Sequence, residues 1–416
     1  MLQRALNRTQ PWDMVVIGGG ATGIGCAVDA ASRGYEVLLL EQSDFGKGTS
    51  SRSTKLIHGG VRYLGQGNIS LVSEALRERG ILRRNAPHLV SELEFVVPTY
   101  DWWEFPFYGA GLKLYDLLAG KHEFGRSRFL SRGETLERLP NIKKEGLRGG
   151  VIYYDGQFDD SRLLISLART AAEQGATLLN YLQVTRVNKR SDNTVSGVEA
   201  RDLESGTSFR ASAKVVINAT GAFCDTVRRM VDPGAEPLIT PSQGIHLVFD
   251  RSFIAGDSAI MVPHTADGRV LFAIPWNGHT LVGTTDTSIS NFPLEPKPLR
   301  EEVDFILEAA GSYLQKVPTR ADVLSVFAGI RPLVNSGAVR STAALARDHI
   351  IKDREFGIAD DRGGKMDDLS QHGRGLHRSS RSARGSPRKA VHYRQSSVAR
   401  LRGQSKQKRR ILRLWL

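Results

Sequence analysis

The apolar run Met14-Val15-Val16-Ile17, followed at once by Gly18-x-Gly20-x-x-Gly23, constrains the fold more than any other feature of the 416-residue chain. The run reads as a short buried parallel strand, and the small residues from Gly23 to Arg33 read as a close-packed helix that Gly34 ends. Glu36-Val37-Leu38-Leu39-Leu40-Glu41 is then a second strand that finishes on a carboxylate. In such a unit Gly18 permits the tight turn, Gly20 lets a pyrophosphate approach the backbone, and Gly23 lets helix and strand pack closely. The helix N-terminus faces the phosphates, and Glu41 is placed to accept from ribose hydroxyls. The pattern predicts an α/β dinucleotide-binding unit.

Whether the dinucleotide is NAD or FAD is not decided by this motif alone. Lys214-Val215-Val216-Ile217-Asn218-Ala219-Thr220-Gly221 is a second buried strand, late in the chain, ending in small residues that would let backbone lie against a cofactor. Segments 244–250, 258–263, 269–275 and 280–285 have the length and turn spacing of an antiparallel sheet. A late strand together with an inserted antiparallel sheet favours FAD. Helices are expected at 69–85, at Ser161–Gln174 with Asp159 or Asp160 as cap, and at about 299–315. The expected organisation alternates: nucleotide-binding parts at 12–92, 155–243 and 325–352, and substrate-domain parts at 93–154 and 244–324.

Charge excludes one class of function. The net +13 is concentrated after residue 352, where 17 basic residues face 6 acidic ones, so the rest of the chain is close to neutral. Positions 353–416, rich in Arg, Ser and Gly, read as a disordered basic tail in which no helix or strand persists. With few aromatics for base stacking, such a tail supports only salt-sensitive binding, and no specific nucleic-acid partner is expected. Two cysteines, Cys26 and Cys224, supply neither a disulfide scaffold nor a metal set. No secretory leader and no apolar run of transmembrane length is read, so the expected location is cytoplasmic. The aromatic run Trp102-Trp103-Glu104-Phe105-Pro106-Phe107-Tyr108 is either substrate-domain core or a contact with lipid or quinone.

The stretch from Thr49 to Leu64, TSSRSTKLIHGGVRYL, closely resembles the FAD-dependent respiratory glycerol-3-phosphate dehydrogenases. Leu71-Val72-Ser73-Glu74-Ala75-Leu76, Gly283-Thr284-Thr285-Asp286 and Gly329-Ile330-Arg331-Pro332-Leu333 extend the resemblance, which runs from about Trp12 to Ile351. It implies an FAD-binding Rossmann-like domain of the glutathione-reductase/D-amino-acid-oxidase type with an inserted antiparallel-sheet cap. It also implies hydride transfer from C2 of sn-glycerol 3-phosphate to the flavin, dihydroxyacetone phosphate as product, and a membrane quinone as electron acceptor. Peripheral contact with the inner face of the cytoplasmic membrane follows from that acceptor.

By the same resemblance Arg62, Tyr63, His246, Arg331 and Arg347 line the substrate pocket. Arg331 is the expected cation nearest the reacting oxygen, and His246, whose ordinary pKa is near neutrality, the expected base. Arg62 and Arg347 are binders of phosphate or hydroxyl groups. Ser50, Ser51, Lys55 and His58 are expected along the flavin, with Gly221 under it. A related flavin oxidase using oxygen is the alternative within enzymes, and the set Arg62, Arg331 and Arg347 argues for a phosphorylated substrate instead.

After Ile351 the chain leaves the family pattern, which continues with a strand and then Gly-Gly-Lys, Trp or Leu, Thr-Thr-Tyr-Arg. Here Gly363-Gly364-Lys365 is followed by Met366-Asp367. Glu355 through Gln371, back-translated and shifted by one nucleotide, can read Ser-Ser-Gly-Leu-Leu-Thr-Ile-Ala-Gly-Gly-Lys-Trp-Thr-Thr-Tyr-Arg, which restores the pattern. The expectation is a frameshift near 352–355, with Lys365 as a retained catalytic position. A polar segment holding Asp360, Asp361 and Arg362 would then replace a buried strand. Losing several buried apolar side chains at roughly 2–5 kcal/mol each would rival a total stability of about 5–15 kcal/mol, so weak FAD retention and little activity are expected of the chain as it stands.

Overall fold

A computed structural model describes residues 2–65, 67–263, 265, 270–334, 350–353 and 358–362. Two sheets organise them. The first is centred on the strand Trp12–Ile17, which pairs in parallel with Val37–Leu40 on one side and with the end of Ser208–Asn218 on the other. Thr177–Leu179 extends it in parallel beyond Val37–Leu40. Val15, Val16, Leu38 and Leu39 are buried on both faces, which explains why these strands read as continuous apolar runs rather than alternating ones. The helix Ala21–Ser32 covers one face together with Asp160–Glu173, whose Leu164, Ala168 and Ala171 meet Ala27, Ala30 and Leu39. Asp159 caps the latter helix by accepting from Arg162 N at 2.9 Å, as expected from sequence. Strands Leu182–Lys189 and Val195–Asp202 form an antiparallel extension on the first half of Ser208–Asn218.

The second sheet has ten strands among the described residues. Val90–Thr99 and Gly149–Phe158 run antiparallel over ten residue pairs. Ile239–Asp250, His279–Gly283, Leu271–Trp276 and Ala259–Val262 follow one another as antiparallel neighbours, close to the four expected segments. One junction departs from the expectation of a purely antiparallel sheet: Ala259–Val262 meets Val90–Thr99 in parallel. Helix Arg300–Tyr313 buries Ile306 and Ala310 in the core of this sheet.

Two further expectations are corrected. Ser325–Val334, read as part of the nucleotide-binding unit, is a strand of the second sheet, because it pairs residue for residue with Ile239–Val248 in antiparallel register. The last segment also differs. Ile350–Asp353 and Ile358–Arg362 pair with each other, and Ile358, Ala359 and Asp360 pair in parallel with Val216, Ile217 and Asn218. So strand structure persists beyond Asp353, and the position of the expected missing strand is filled. The physical reason is that the edge of Ser208–Asn218 offers backbone donors and acceptors, which a polar segment satisfies as well as an apolar one. Arg347, Lys365 and the remainder of the tail lie outside the described residues.

Candidate active site

One cavity of about 660 Å³ runs from the glycine turn of the first sheet to the inner face of the second. Its nucleotide end is built by the first sheet. Gly18 has φ +110°, and a Cβ there would lie 2.5 Å from Ala219 O, so the turn and the next strand approach as closely as backbone allows. Gly23 serves packing instead: a Cβ on it would sit 1.9 Å from Gly18 O, and the residue does not line the cavity. Glu41 lines it, with Oε2 accepting from Gly19 N at 2.6 Å and Oε1 from Ser43 N at 2.8 Å. Burial raises the Glu41 pKa against the pull of these N–H groups. The helix that starts at Ala21 has no side-chain cap at Gly20 and no acidic residue in its first turn. A phosphate-binding helix end likewise keeps acidic side chains away from its first turn. Ser50 Oγ accepts from Ala21 N at 2.9 Å, and Thr220 and Gly221 close the floor.

The other end of the cavity is set by the register of the second sheet. Ser242 stands opposite Arg331, and His246 opposite both Phe327 and Gly283. Arg331 donates from Nη2 to Thr284 Oγ1 at 2.8 Å and from Nη1 toward Gln243 O at 3.5 Å, with Asp286 Oδ1 at 3.5 Å. Its guanidinium lies over Gly244, where a Cβ would be 2.3 Å from Nη2. Behind it Glu302, buried, accepts from Gln243 Nε2, Thr285 Oγ1 and Leu299 N, so the elements gripping Arg331 are tied together.

His246 is 3% exposed and stacks on Phe327 at 4.9 Å between ring centres. Its Nε2 is 2.8 Å from Thr54 Oγ1, and its Nδ1 is buried with no hydrogen-bond partner among the described residues. Burial, reinforced by the positive charges of Arg331 and Lys55, pushes its pKa down to about 3, so the imidazole is neutral at physiological pH. Tyr63 and Arg62 sit in a short helical turn, Val61–Tyr63, with the guanidinium 5.8 Å from the Tyr63 ring centre. His58 lies 6.1 Å from Phe272, ring centre to ring centre.

Of the residues expected from sequence, Gly18, Gly20, Glu41, Ser50, His58, Arg62, Tyr63, Gly221, His246 and Arg331 line this one cavity. Ser51 and Lys55 do not line it. The reason is electrostatic. Lys55 Nζ is drawn to the buried Asp160 carboxylate at 2.7 and 2.8 Å and also donates to Ser51 O at 2.8 Å. Sequence reasoning assigned no role to Thr54, Gln243, Thr284 or Asp286, and considered Asp160 only as a helix cap. Thr54 and Thr284 lie inside the motifs that carried the family resemblance, which was the available signal. The grip of Asp160 on Lys55 spans 105 residues and has no local signature.

Residues 13–351 match the family described as FAD dependent oxidoreductase. The chain belongs to this family. The cavity fits the family's cofactor: its glycine turn tolerates no side chain at Gly18, and the helix beyond it carries no acidic residue in its first turn. The mitochondrial glycerol-3-phosphate dehydrogenase of Arabidopsis thaliana is 44% identical over 373 residues, 87% of this chain and 59% of that protein. The human mitochondrial glycerol-3-phosphate dehydrogenase is 43% identical over 374 residues, 86% of this chain and 51% of that protein. This FAD-dependent oxidoreductase thus spans between half and three fifths of the length of those curated relatives. The crystal structure of the glycerol-3-phosphate dehydrogenase from Bacillus halodurans complexed with FAD superposes with a TM-score of 0.76 at 31% identity, over 94% of this chain and 68% of that one.

Proposed function

We propose that this oxidoreductase binds FAD and oxidises sn-glycerol 3-phosphate to dihydroxyacetone phosphate. The observation that carries the proposal is Arg331: a guanidinium held by Thr284, Gln243 and Asp286 at the end of a nucleotide-sized cavity, beside a neutral buried histidine. When bound, FAD supplies a two-electron acceptor for the hydrogen on C2. The protein's own residues bind and orient. Arg331 and Arg62 provide cations for the phosphate dianion and for negative charge developing on the reacting oxygen. His246, neutral, takes up the hydroxyl proton. By family resemblance Arg347 and Lys365 would add to the same pocket, and a quinone would receive the electrons.

Purified 416-residue protein tests this directly. A flavin absorbance spectrum that bleaches on adding glycerol 3-phosphate, and not glycerol or an amino acid, is the expected result. Protein without flavin, or flavin bleached by an amino acid alone, would overturn the reading.

A peripheral membrane contact is proposed on a separate observation. Trp103, Phe107, Ala110, Leu114 and Leu117 form one stripe along the helix Glu104–Ala119, all of them exposed, with the exposed Trp102 at its start. Lys113, on the same helix, and Arg126 lie mostly in solvent, paired with Asp116 and Glu123 respectively. An apolar stripe with Trp and exposed cations suits an anionic lipid surface, where the protein would meet its quinone at the inner face of the cytoplasmic membrane. Among the described residues no helix is long and apolar enough to cross a membrane.

A further inference from the structure

The expected base, His246, offers the cavity no free nitrogen. Nδ1 is buried with no hydrogen-bond partner among the described residues, and Nε2 already faces Thr54 Oγ1 at 2.8 Å. Thr54, by contrast, is half-buried and lines the cavity with Arg62 and Arg331. We infer that Thr54 is a catalytic residue, the hydroxyl through which the substrate's proton reaches His246.

The inference rests on the glycerol 3-phosphate reading and assigns its proton path. As the C2 hydroxyl is oxidised, its O–H bond breaks and the proton goes to Thr54 Oγ1. The proton already on Thr54 Oγ1 passes to His246 Nε2, which becomes imidazolium. The C2 hydrogen leaves with its electron pair for the flavin acceptor, and the carbonyl of dihydroxyacetone phosphate forms. Charge and atoms balance, and solvent returns the threonine–histidine pair to neutral afterwards.

Two features of the structure support this arrangement. First, the Thr54 hydroxyl has one proton to give, and His246 Nε2 lies 2.8 Å from it, an acceptor when the ring proton is on Nδ1. Second, the turn that presents Thr54 is held from both sides. Asp160 accepts from Ser53 N at 3.2 Å, from Ser53 Oγ at 2.7 Å and from Lys55 Nζ, while Lys55 N donates to Ser53 Oγ at 3.0 Å. Lys55 itself has φ +62°, a conformation costly for a side chain with a Cβ and retained where surrounding contacts overdetermine it. A strained residue locked next to a hydroxyl aimed at a histidine is the arrangement expected of a positioned reacting group rather than of a passive loop.

The direction of the hydrogen bond can be read without any turnover. Protein carrying ¹⁵N in its histidine rings, with the His246 signals identified by their loss in His246→Asn, should show His246 protonated on Nδ1 and unprotonated on Nε2. Protonation on Nε2 would overturn the relay, because Thr54 would then be an acceptor and could not hand a proton to that atom. Kinetics supply the second arm. With FAD retained, Thr54→Val should slow single-turnover flavin reduction by glycerol 3-phosphate about a hundredfold, and Thr54→Ser should recover most of that loss. A Thr54→Val protein that is reduced at the wild-type rate overturns the inference. Wild-type protein with the expected tautomer that glycerol 3-phosphate does not reduce overturns the substrate reading, and the relay's role in this reaction with it.

Discussion

The Lys55 ammonium meets both oxygens of the Asp160 carboxylate, at 2.7 and 2.8 Å, with both side chains almost wholly removed from solvent. Asp160 opens the helix Asp160–Glu173 of the nucleotide-binding layer, while Lys55 leads into Leu56–Ile57 of the second sheet. The pair therefore ties the two layers together beside the cavity. Removing one partner of a buried pair leaves an uncompensated charge, at a cost of about 3–5 kcal/mol. Asp160→Asn should lose about that much in urea-unfolding free energy. The double variant Lys55→Met/Asp160→Leu should recover most of it, since neither charge then needs a partner. Single and double variants of equal stability would show that the pair is not desolvated.

Gly244 carries a second prediction. A methyl group there would lie 2.3 Å from Arg331 Nη2, so Gly244→Ala pushes the guanidinium away from Thr284 and Gln243. Charged hydrogen bonds contribute about 1.5–3 kcal/mol each, so KM for glycerol 3-phosphate should rise roughly ten- to a hundredfold. FAD retention should change less than KM, because Gly244 sits against Arg331 in the second sheet, whereas the glycine turn belongs to the first. Flavin content and initial rates, measured on the same preparation, separate the two effects. Loss of flavin with KM unaltered would mean that Arg331 does not bind substrate.

These predictions draw unevenly on what the sequence revealed. The strand-turn-helix beginning at Met14 was legible because its physics is local: an apolar run, three glycines and a closing carboxylate lie within 28 residues. The cap of Asp160–Glu173 was legible for the same reason. The pairing of Ser325–Val334 with Ile239–Val248 was not, because an apolar strand carries no mark of which sheet it joins. Likewise, Ile358–Arg362 looked too polar to be a strand, yet its Ile358, Ala359 and Asp360 pair in parallel with Val216, Ile217 and Asn218. At the site, Arg331 and His246 were placed by the family resemblance, and residue type supplied only their roles. What holds them, Thr54 and Thr284, depends on contacts 192 and 47 residues apart in sequence.

The buried histidine should leave a signature in acid stability. His246 titrates near 6.5 when unfolded and at about 3 in the native protein, where burial, Arg331 and Lys55 disfavour its charge. Between those values the unfolded chain binds one more proton at this position than the folded chain does. Stability from this group therefore rises with pH through that window, by about 1.4 kcal/mol per unit, and is lost as pH falls from 6.5 toward 3. His246→Asn cannot titrate. The unfolding free energy of wild type relative to His246→Asn should fall by about 2–3 kcal/mol between pH 6 and pH 4. A difference that stays constant over this range would place the ring in contact with water.

The exposed stripe on Glu104–Ala119 gives the last prediction. Trp103, Phe107, Leu114 and Leu117 project from one face of this helix, whereas its Leu112, Tyr115 and Ala119 are buried in the second sheet's core. Replacing Trp102, Phe107 and Leu117 together by Ser removes apolar surface that stabilises nothing inside the fold, so unfolding free energy should change by no more than about 0.5 kcal/mol per site. Binding to vesicles of anionic phospholipid should fall at least tenfold in a sedimentation assay, since each large side chain withdrawn from the lipid boundary removes about 1.5–3 kcal/mol of burial. Raising the salt concentration should weaken the wild-type protein's binding through its Lys113 and Arg126 contacts, without abolishing the apolar part. Vesicle binding equal in wild type and triple variant would assign any membrane contact to another surface.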